Sequence, residues 1–322
     1  MGRQGKIHSE NISRMKNAQL ICVSDVNPEL AASFSNSDLI FFNSYRDVIK
    51  RDDVDALVIA SSTDTHEEII IEAAAAGKHI FCEKPIAPEL PSIDRALAAV
   101  ESAGIKFMTA FNRRFDPSFK KVRDFVESGK VGVPHIINIT SRDPAPPTME
   151  YLKVSGGIFF DCTIHDFDMA RYLAGDEIVE IYATGNVLVD TAIGKLGDID
   201  TTMILLKFKG GAVGSINNSR KAVYGYDQRV EVFGSKGCIN AYNETPTRVI
   251  YTDEIGVHSD KPLYFNAERY PQSFINEIEV FVNCILNDHK PPVTGLDGRI
   301  AVQVAMAARQ SYLDNKPVKI DL

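Results

Sequence analysis

The stretch Gly77-Lys78-His79-Ile80-Phe81-Cys82-Glu83-Lys84-Pro85 decides how the chain is read. Residues 79–82 form a short run suited to a strand covered on both faces, as in a parallel sheet flanked by helices. The run leads straight into a Glu-Lys pair, which places that pair at the carboxyl end of the strand, where open α/β sheets bind their ligands. Pro85 has a fixed φ and moves Lys84 out of the αR region, so Lys84 is held extended at the rim. On spacing alone, Lys84 reads equally as a salt-bridged loop lysine. The surrounding pattern shifts the balance.

Strand 54–60 (VDALVIA) runs into Ser61-Ser62-Thr63-Asp64-Thr65-His66, and an alanine-rich helix over 65–76 is closed by Gly77. A helix over 88–103, apolar at Ile93, Leu97 and Val100, precedes a strand over 105–110. Upstream lie a strand at 38–42 and a short helix at 45–50. Strands alternating with helices predict an α/β unit with a Rossmann-type, doubly wound parallel sheet.

The first residues, Met1-Gly2-Arg3-Gln4-Gly5, match the back half of a glycine-rich dinucleotide loop, with Gly2 and Gly5 as its last two glycines. A helix follows from about Gln4, and 18–25 reads as a strand ending in Asp25. Asp25 lies 25 − 5 = 20 residues after Gly5, the offset of about 20 residues at which a carboxylate holds the adenosine ribose in NAD-type sites. Asp25 also reads as a simple cap, together with Asn27 before Pro28. The strand that precedes such a loop, and its first glycine, are not among these residues. That strand belongs between the strand ending at Asp25 and the strand at 54–60. Without it, backbone groups lose partners at about 1–3 kcal/mol for each buried one. The expectation is that either an upstream segment completes the sheet or this form binds cofactor poorly.

After residue 115 the character changes. A helix over 115–128, a strand over 133–141 and the loop Asp143-Pro144-Ala145-Pro146-Pro147 come first. Ser155-Gly156-Gly157 opens a segment read as one helix over 161–173. Strands at 177–186, 200–208, 212–219, 227–233 and 237–242 follow, with Gly210-Gly211 and Ser235-Lys236-Gly237 as hairpin signals. Helices at 272–286 and 296–313 end the chain. The pattern predicts two domains: 1–115, a cofactor-binding Rossmann domain lacking its first strand, and 116–322, an α+β domain with an open, mainly antiparallel sheet for substrate binding and oligomerisation.

At 322 residues, two domains also agree with a prior of about 150 residues each. A net charge of −8 without a basic stripe argues against a nucleic-acid footprint. No apolar run approaches the ~18 residues needed to span a bilayer, and the polar, glycine-rich start lacks a signal-peptide pattern. The five cysteines show no CxxC spacing; Cys22, Cys82 and Cys238 lie in apolar strand-like runs and read as reduced core thiols of a cytoplasmic protein. A homo-oligomer with no nucleic-acid or membrane partner is the expectation.

Asp161 and His165, four apart, would share a face of the predicted 161–173 helix. Histidine takes up a proton near neutral pH, and a neighbouring carboxylate and cation set its tautomer. The bland alternative is a satisfied core histidine. Asp161, His165, Asp166 and Asp168 also suggest a metal set, but Asp166 and Asp168 fall on different faces and no third spaced histidine completes it, so no metal is expected.

Glu83-Lys84-Pro85, Asn112-Arg113-Arg114-Phe115-Asp116, and Gly156-Gly157 followed by Asp161-x-x-x-His165-Asp166-Phe167-Asp168 together resemble the glucose–fructose oxidoreductase and inositol dehydrogenase (Gfo/Idh/MocA) family. The run 224–234 is similar to that of its inositol 2-dehydrogenase branch. The resemblance covers nearly the whole chain and implies NAD-dependent oxidation of a ring hydroxyl of a cyclic polyol, most simply myo-inositol to its 2-keto form. It implies His165 as the general base, Asp161 as its acidic partner and Lys84 as the cation on the reacting oxygen. Arg113, Asp143 and Tyr226 would line the polyol pocket. Gly2, Arg3, Gln4 and Gly5 would hold the pyrophosphate, Asp25 the ribose, and Ser61, Thr63, His66, Glu83 and Lys84 the rest of the cofactor. Cys162, Ser141 and Asp143 stand where other inositol enzymes carry Thr, His and Asn, which leaves the polyol open. The alternatives are another sugar or cyclitol dehydrogenase of the family, or a binding or scaffold form impaired by the absent strand.

Overall fold

The computed structural model describes residues 2–34 and 39–321. In chain order these form α1 (Arg3–Ser13), β1 (Cys22–Ser24), β2 (Ile40–Phe42), α2 (Tyr45–Ile49), β3 (Ala56–Ile59), α3 (His66–Ala75), β4 (His79–Glu83), α4 (Leu90–Ala103) and β5 (Phe107–Ala110). Then come α5 (Pro117–Glu127), β6 (Pro134–Arg142), α6 (Met149–Leu152), α7 (Ile158–Asp161), α8 (Ile164–Ala174), β7 (Ile178–Asn186) and α9 (Thr191–Gly194). The strands β8 (Thr201–Phe208), β9 (Val213–Ser219), β10 (Asp227–Gly234), β11 (Gly237–Ala241), β12 (Ile250–Thr252) and β13 (Val257–Ser259) follow. The chain ends with α10 (Asn266–Arg269), α11 (Pro271–Leu286), α12 (Gly295–Asp314) and β14 (Val318–Lys319). Asp38, placed in a strand by its sequence, lies outside the described residues.

Residues 1–112 and 272–300 make one compact unit, and 113–271 with 301–322 make a second. In the first unit β3, β4 and β5 form a parallel sheet, with Ile80 opposite Leu57 on one side and Phe107 on the other. Ile80, Phe81 and Cys82 have no exposed surface, as a strand covered on both faces requires. Helix α3 buries Ile69, Ile70, Ala73 and Ala74, and α4 buries Ile93 and Ala96. Strands β1 and β2 pair in parallel as a separate two-stranded sheet.

The stretch 272–300 packs in the first unit, so the chain is not divided by a single cut after residue 115. The reason is apolar: Phe274, Ile278 and Phe281 follow a helical period on α11, and the Phe281 ring centroid lies 5.7 Å from that of Phe81 on β4. Thr109 N donates to Val293 O at 3.2 Å, which fastens the segment beside β5.

The second unit is a seven-stranded sheet in the order β11-β10-β6-β9-β8-β7-β14, antiparallel except for the β6–β9 pair. Strand β8 alternates strictly: Thr202, Ile204, Leu206 and Phe208 are buried, while Met203, Leu205 and Lys207 are exposed. Helices α5 and α8 lie on the buried face. Asp116 caps α5 by accepting from Ser118 N and Phe119 N, with Pro117 at the first helical position. Cys238, read as a core thiol, is exposed, because β11 is an edge strand and its outer end has little cover. No described helix is long and apolar enough to cross a membrane.

Candidate active site

In the first unit, α1 starts at Gly2, and its first intrahelical bond runs from Lys6 N to Gly2 O at 3.1 Å. The amides of Arg3, Gln4 and Gly5 therefore belong to the open helix N-terminus, and Gly5 is helical rather than part of a loop. A Cβ at Gly2 would meet nothing within 4 Å, so backbone can be approached there. A helix N-terminus of this kind suits a pyrophosphate, and the donor set fits NAD. Asp25 follows β1 directly, and its Oδ1 accepts from Asn27 N at 2.8 Å. The carboxylate thus does cap a turn, as one of its two sequence readings holds.

Ser61 Oγ and Thr65 Oγ1 are 2.7 Å apart, and Thr63 opens the single 3-10 turn Thr63–Thr65. His66 is buried, with Nδ1 3.0 Å from Pro85 O and Nε2 3.2 Å from Ser61 O. Burial lowers its pKa, against the two carbonyl contacts, which raise it. It ties the Ser61 turn to the Pro85 loop.

Lys84, at the end of β4, is part-exposed, and the Lys84–Pro85 peptide is cis. Glu83 points inward. Its Oε1 accepts from His8 Nε2 at 2.8 Å, and both residues are buried. The His8 ring sits edge-on to Phe81 at 5.2 Å and to Phe274 at 6.2 Å. Glu277 on α11 is wholly buried, and neither of its carboxyl oxygens has a hydrogen-bond partner. Burial, reinforced by Glu83, raises its pKa well above the usual range. Glu83, read as a cofactor contact, is engaged by His8 of α1.

In the second unit, the predicted helix over 161–173 is broken. Cys162 N and Thr163 N both donate to Ile158 O, at 3.0 and 2.9 Å, and the Thr163 hydroxyl does so at 3.2 Å. Triple use of one carbonyl ends α7 at Asp161, and α8 restarts with Asp166 N and Phe167 N on Thr163 O. Asp161 and His165 therefore stand on two helices rather than one. They remain distinctive: between residues 158 and 171 they alone are not buried.

Asp161 Oδ2 accepts from Arg220 Nη1 at 3.1 Å, and Oδ1 accepts from the Tyr151 hydroxyl at 2.7 Å. Arg113, read as a polyol ligand, is buried and pairs with Asp166 at 2.5 Å, while Asn218 Nδ2 donates to the other Asp166 oxygen at 2.7 Å. Its Nη2 also lies 3.5 Å from the buried Tyr226 hydroxyl and 3.4 Å from Ser141 Oγ, so Arg113 and Tyr226 do meet. Asp168 pairs separately with Arg114. Asp143 Oδ2 lies 3.9 Å from Cys162 Sγ, and desolvation raises the Asp143 pKa to about 6 despite the pull of Arg220. Among the described residues no group of three or more His, Cys, Asp or Glu is placed to hold a metal ion.

His8, Glu277, Tyr151, Asp198 and Arg220 have no place in the sequence motifs. His8 carries a faint signal, three residues after Gly5 on a helix; Arg220 carries none, because its partner lies 59 residues away.

Residues 1–111 match the oxidoreductase family model with an NAD-binding Rossmann fold, and residues 119–240 match the Gfo/Idh/MocA C-terminal domain. The chain is 47% identical over 324 residues to myo-inositol 2-dehydrogenase of Thermotoga maritima, covering 100% of this chain and 97% of the relative. It is 41% identical over 320 residues to inositol 2-dehydrogenase of Rhizobium meliloti, covering 99% and 97%. A solved scyllo-inositol dehydrogenase from Lactobacillus casei, with bound NAD(H) and scyllo-inositol, superposes with a TM-score of 0.92 at 30% identity, covering 99% of this chain and 96% of that one. With both of its characteristic regions matched and full-length relatives at this identity, the chain belongs to the Gfo/Idh/MocA family of NAD-binding oxidoreductases.

Proposed function

We propose that this chain is an NAD-dependent inositol 2-dehydrogenase, oxidising myo-inositol to 2-keto-myo-inositol. The observation that carries the reading is the full-length likeness to relatives of that name, while the residues implied for the chemistry are all present. NAD, when bound, supplies the hydride acceptor. The N-terminal amides of α1 would hold its pyrophosphate, with Asp25 on the adenosine ribose and the Ser61–Thr65 turn and Lys84 flanking the remainder.

His165 takes up the proton of the reacting hydroxyl on its imidazole, and Asp161 is its acidic partner. Lys84 serves as the cation that favours a developing alkoxide, worth a few kcal/mol in a closed site. Asp143 and Tyr226 contribute donors and acceptors for the other hydroxyls, while Arg113 sets their geometry from its pair with Asp166. The enzyme works in the cytoplasm as a homo-oligomer. All five cysteines are free, and Ile136, Met203, Leu205 and Val213 are exposed apolar residues on the strands of the large sheet.

The test is NAD reduction followed by absorbance with a panel of cyclitols and sugars, alongside calorimetric NAD binding. Turnover with myo-inositol is the expected result, and His165→Ala should abolish it with NAD affinity nearly unchanged. Turnover with scyllo-inositol or an open sugar alone would move the chain to another polyol. Unchanged turnover in the variant would remove His165 as the base.

A further inference from the structure

Arg220 follows β9 directly and is fully buried. Its backbone N donates to Asp200 O at 2.8 Å, which fixes where the side chain starts. The guanidinium reaches Asp161 through Nη1 at 3.1 Å, and its Nη2 stands 3.7 Å from Asp198 Oδ2. Asp198 Oδ1 in turn accepts from Ile158 N at 3.0 Å, at the first residue of α7. Gly157, just before it, has φ 85°, and a Cβ there would come within 2.9 Å of Asp198 Oδ1. The second glycine of the Gly156-Gly157 pair thus allows Asp198 to approach the start of α7.

Helix α7 is four residues long, too short to hold a side-chain direction by its own hydrogen bonds. Arg220 grips it twice, at its start through Asp198 and at its last residue, Asp161. The guanidinium is poorly compensated for a buried cation: Nε and Nη2 make no hydrogen bond, and neither does Asp198 Oδ2. Such an arrangement is a poor device for stability, because burying charges costs desolvation that imperfect pairing does not offset. It does leave one oxygen of Asp161 on a rigid, buried partner and the other on the exposed Tyr151.

We infer that Arg220 is a positioning residue for Asp161, linking its carboxylate through Asp198 to the Gly156-Gly157 turn. The inference rests on the role proposed above for Asp161. Misplacing a reacting group by about 1 Å costs on the order of 10²-fold in rate. Arg220→Lys keeps the charge but loses the fork, so it should lower kcat by about 10²-fold while leaving the KM for NAD unchanged.

The decisive experiment is a cycle of Arg220→Lys, Asp161→Asn and the double variant, read by kcat, by both KM values and by thermal unfolding. If Arg220 acts through Asp161, the double variant is no slower than Asp161→Asn alone. Multiplicative losses would overturn the inference, as would a parallel fall in NAD affinity and stability with kcat preserved. If Arg220→Lys does not fold, Asp198→Asn takes its place, with a loss of about 10-fold expected and the same non-additivity required. Should the wild-type chain oxidise no polyol, the functional reading falls. The unfolding cycle then decides alone: coupling between 220 and 161 supports the link, and independent effects refute it.

Discussion

His8 Nε2 donates to Glu83 Oε1 across 2.8 Å, and this buried bond joins α1, capped by Gly2, to β4, which ends at Glu83 just before Lys84. The two elements with the strongest claims on the cofactor are thereby held in one register. Glu277, wholly buried, adds a second carboxyl within electrostatic reach of Glu83. Loss of the imidazole would leave the buried Glu83 carboxyl without that partner, beside a second carboxyl.

His8→Leu should therefore destabilise the protein by about 2 kcal/mol, since it strips the buried Glu83 carboxyl of its hydrogen-bond donor. Denaturant unfolding measures this. A loss below about 1 kcal/mol would show that Glu83 finds another partner.

Asp25 carries two readings that Ala cannot separate, because its Oδ1 caps Asn27 N. Asp25→Asn keeps an oxygen for the cap and removes the charge. Stability should change by less than ~0.5 kcal/mol, as for an ordinary surface substitution, while discrimination against NADP relaxes. Unaltered cofactor preference in that variant would make Asp25 a turn residue alone.

Asp143 is the group whose pH dependence can be signed. Its folded pKa, about 6, lies above the ordinary aspartate value of 3.8, so the folded state binds the proton more tightly than the unfolded chain. Its contribution is fully present below pH 4 and is lost as the pH rises through 6. At 1.36 kcal/mol per unit the cost of ionisation reaches about 3 kcal/mol, and less where solvent reaches the part-buried residue. Asp143→Asn should flatten the stability profile between pH 4 and 7, and should flatten polyol binding over the same range. A profile parallel to the wild type in thermal melts would assign the titration elsewhere.

Sequence by itself determined the alternation of strands and helices, the position of Lys84 at the end of a buried strand, and the separate character of residues after 115. Those features are local: a period of 2 or 3.6 and a proline are visible within a dozen residues. The single helix read over 161–173 shows the limit. Nothing in Cys162-Thr163 announces that three donors will share the Ile158 carbonyl, yet that sharing puts Asp161 and His165 on different helices. Lys84 was legible, but not the inward turn of Glu83 onto His8, 75 residues away. Arg113 stood out in its motif, but its partner Asp166 and the tie from Arg220 to Asp161 span 53 and 59 residues. Likewise 272–300 joins the first unit because Phe274, Ile278 and Phe281 find the apolar face around Phe81. Periodicity says which face of an element is apolar; only tertiary packing decides what that face meets and which buried charge is left beside which.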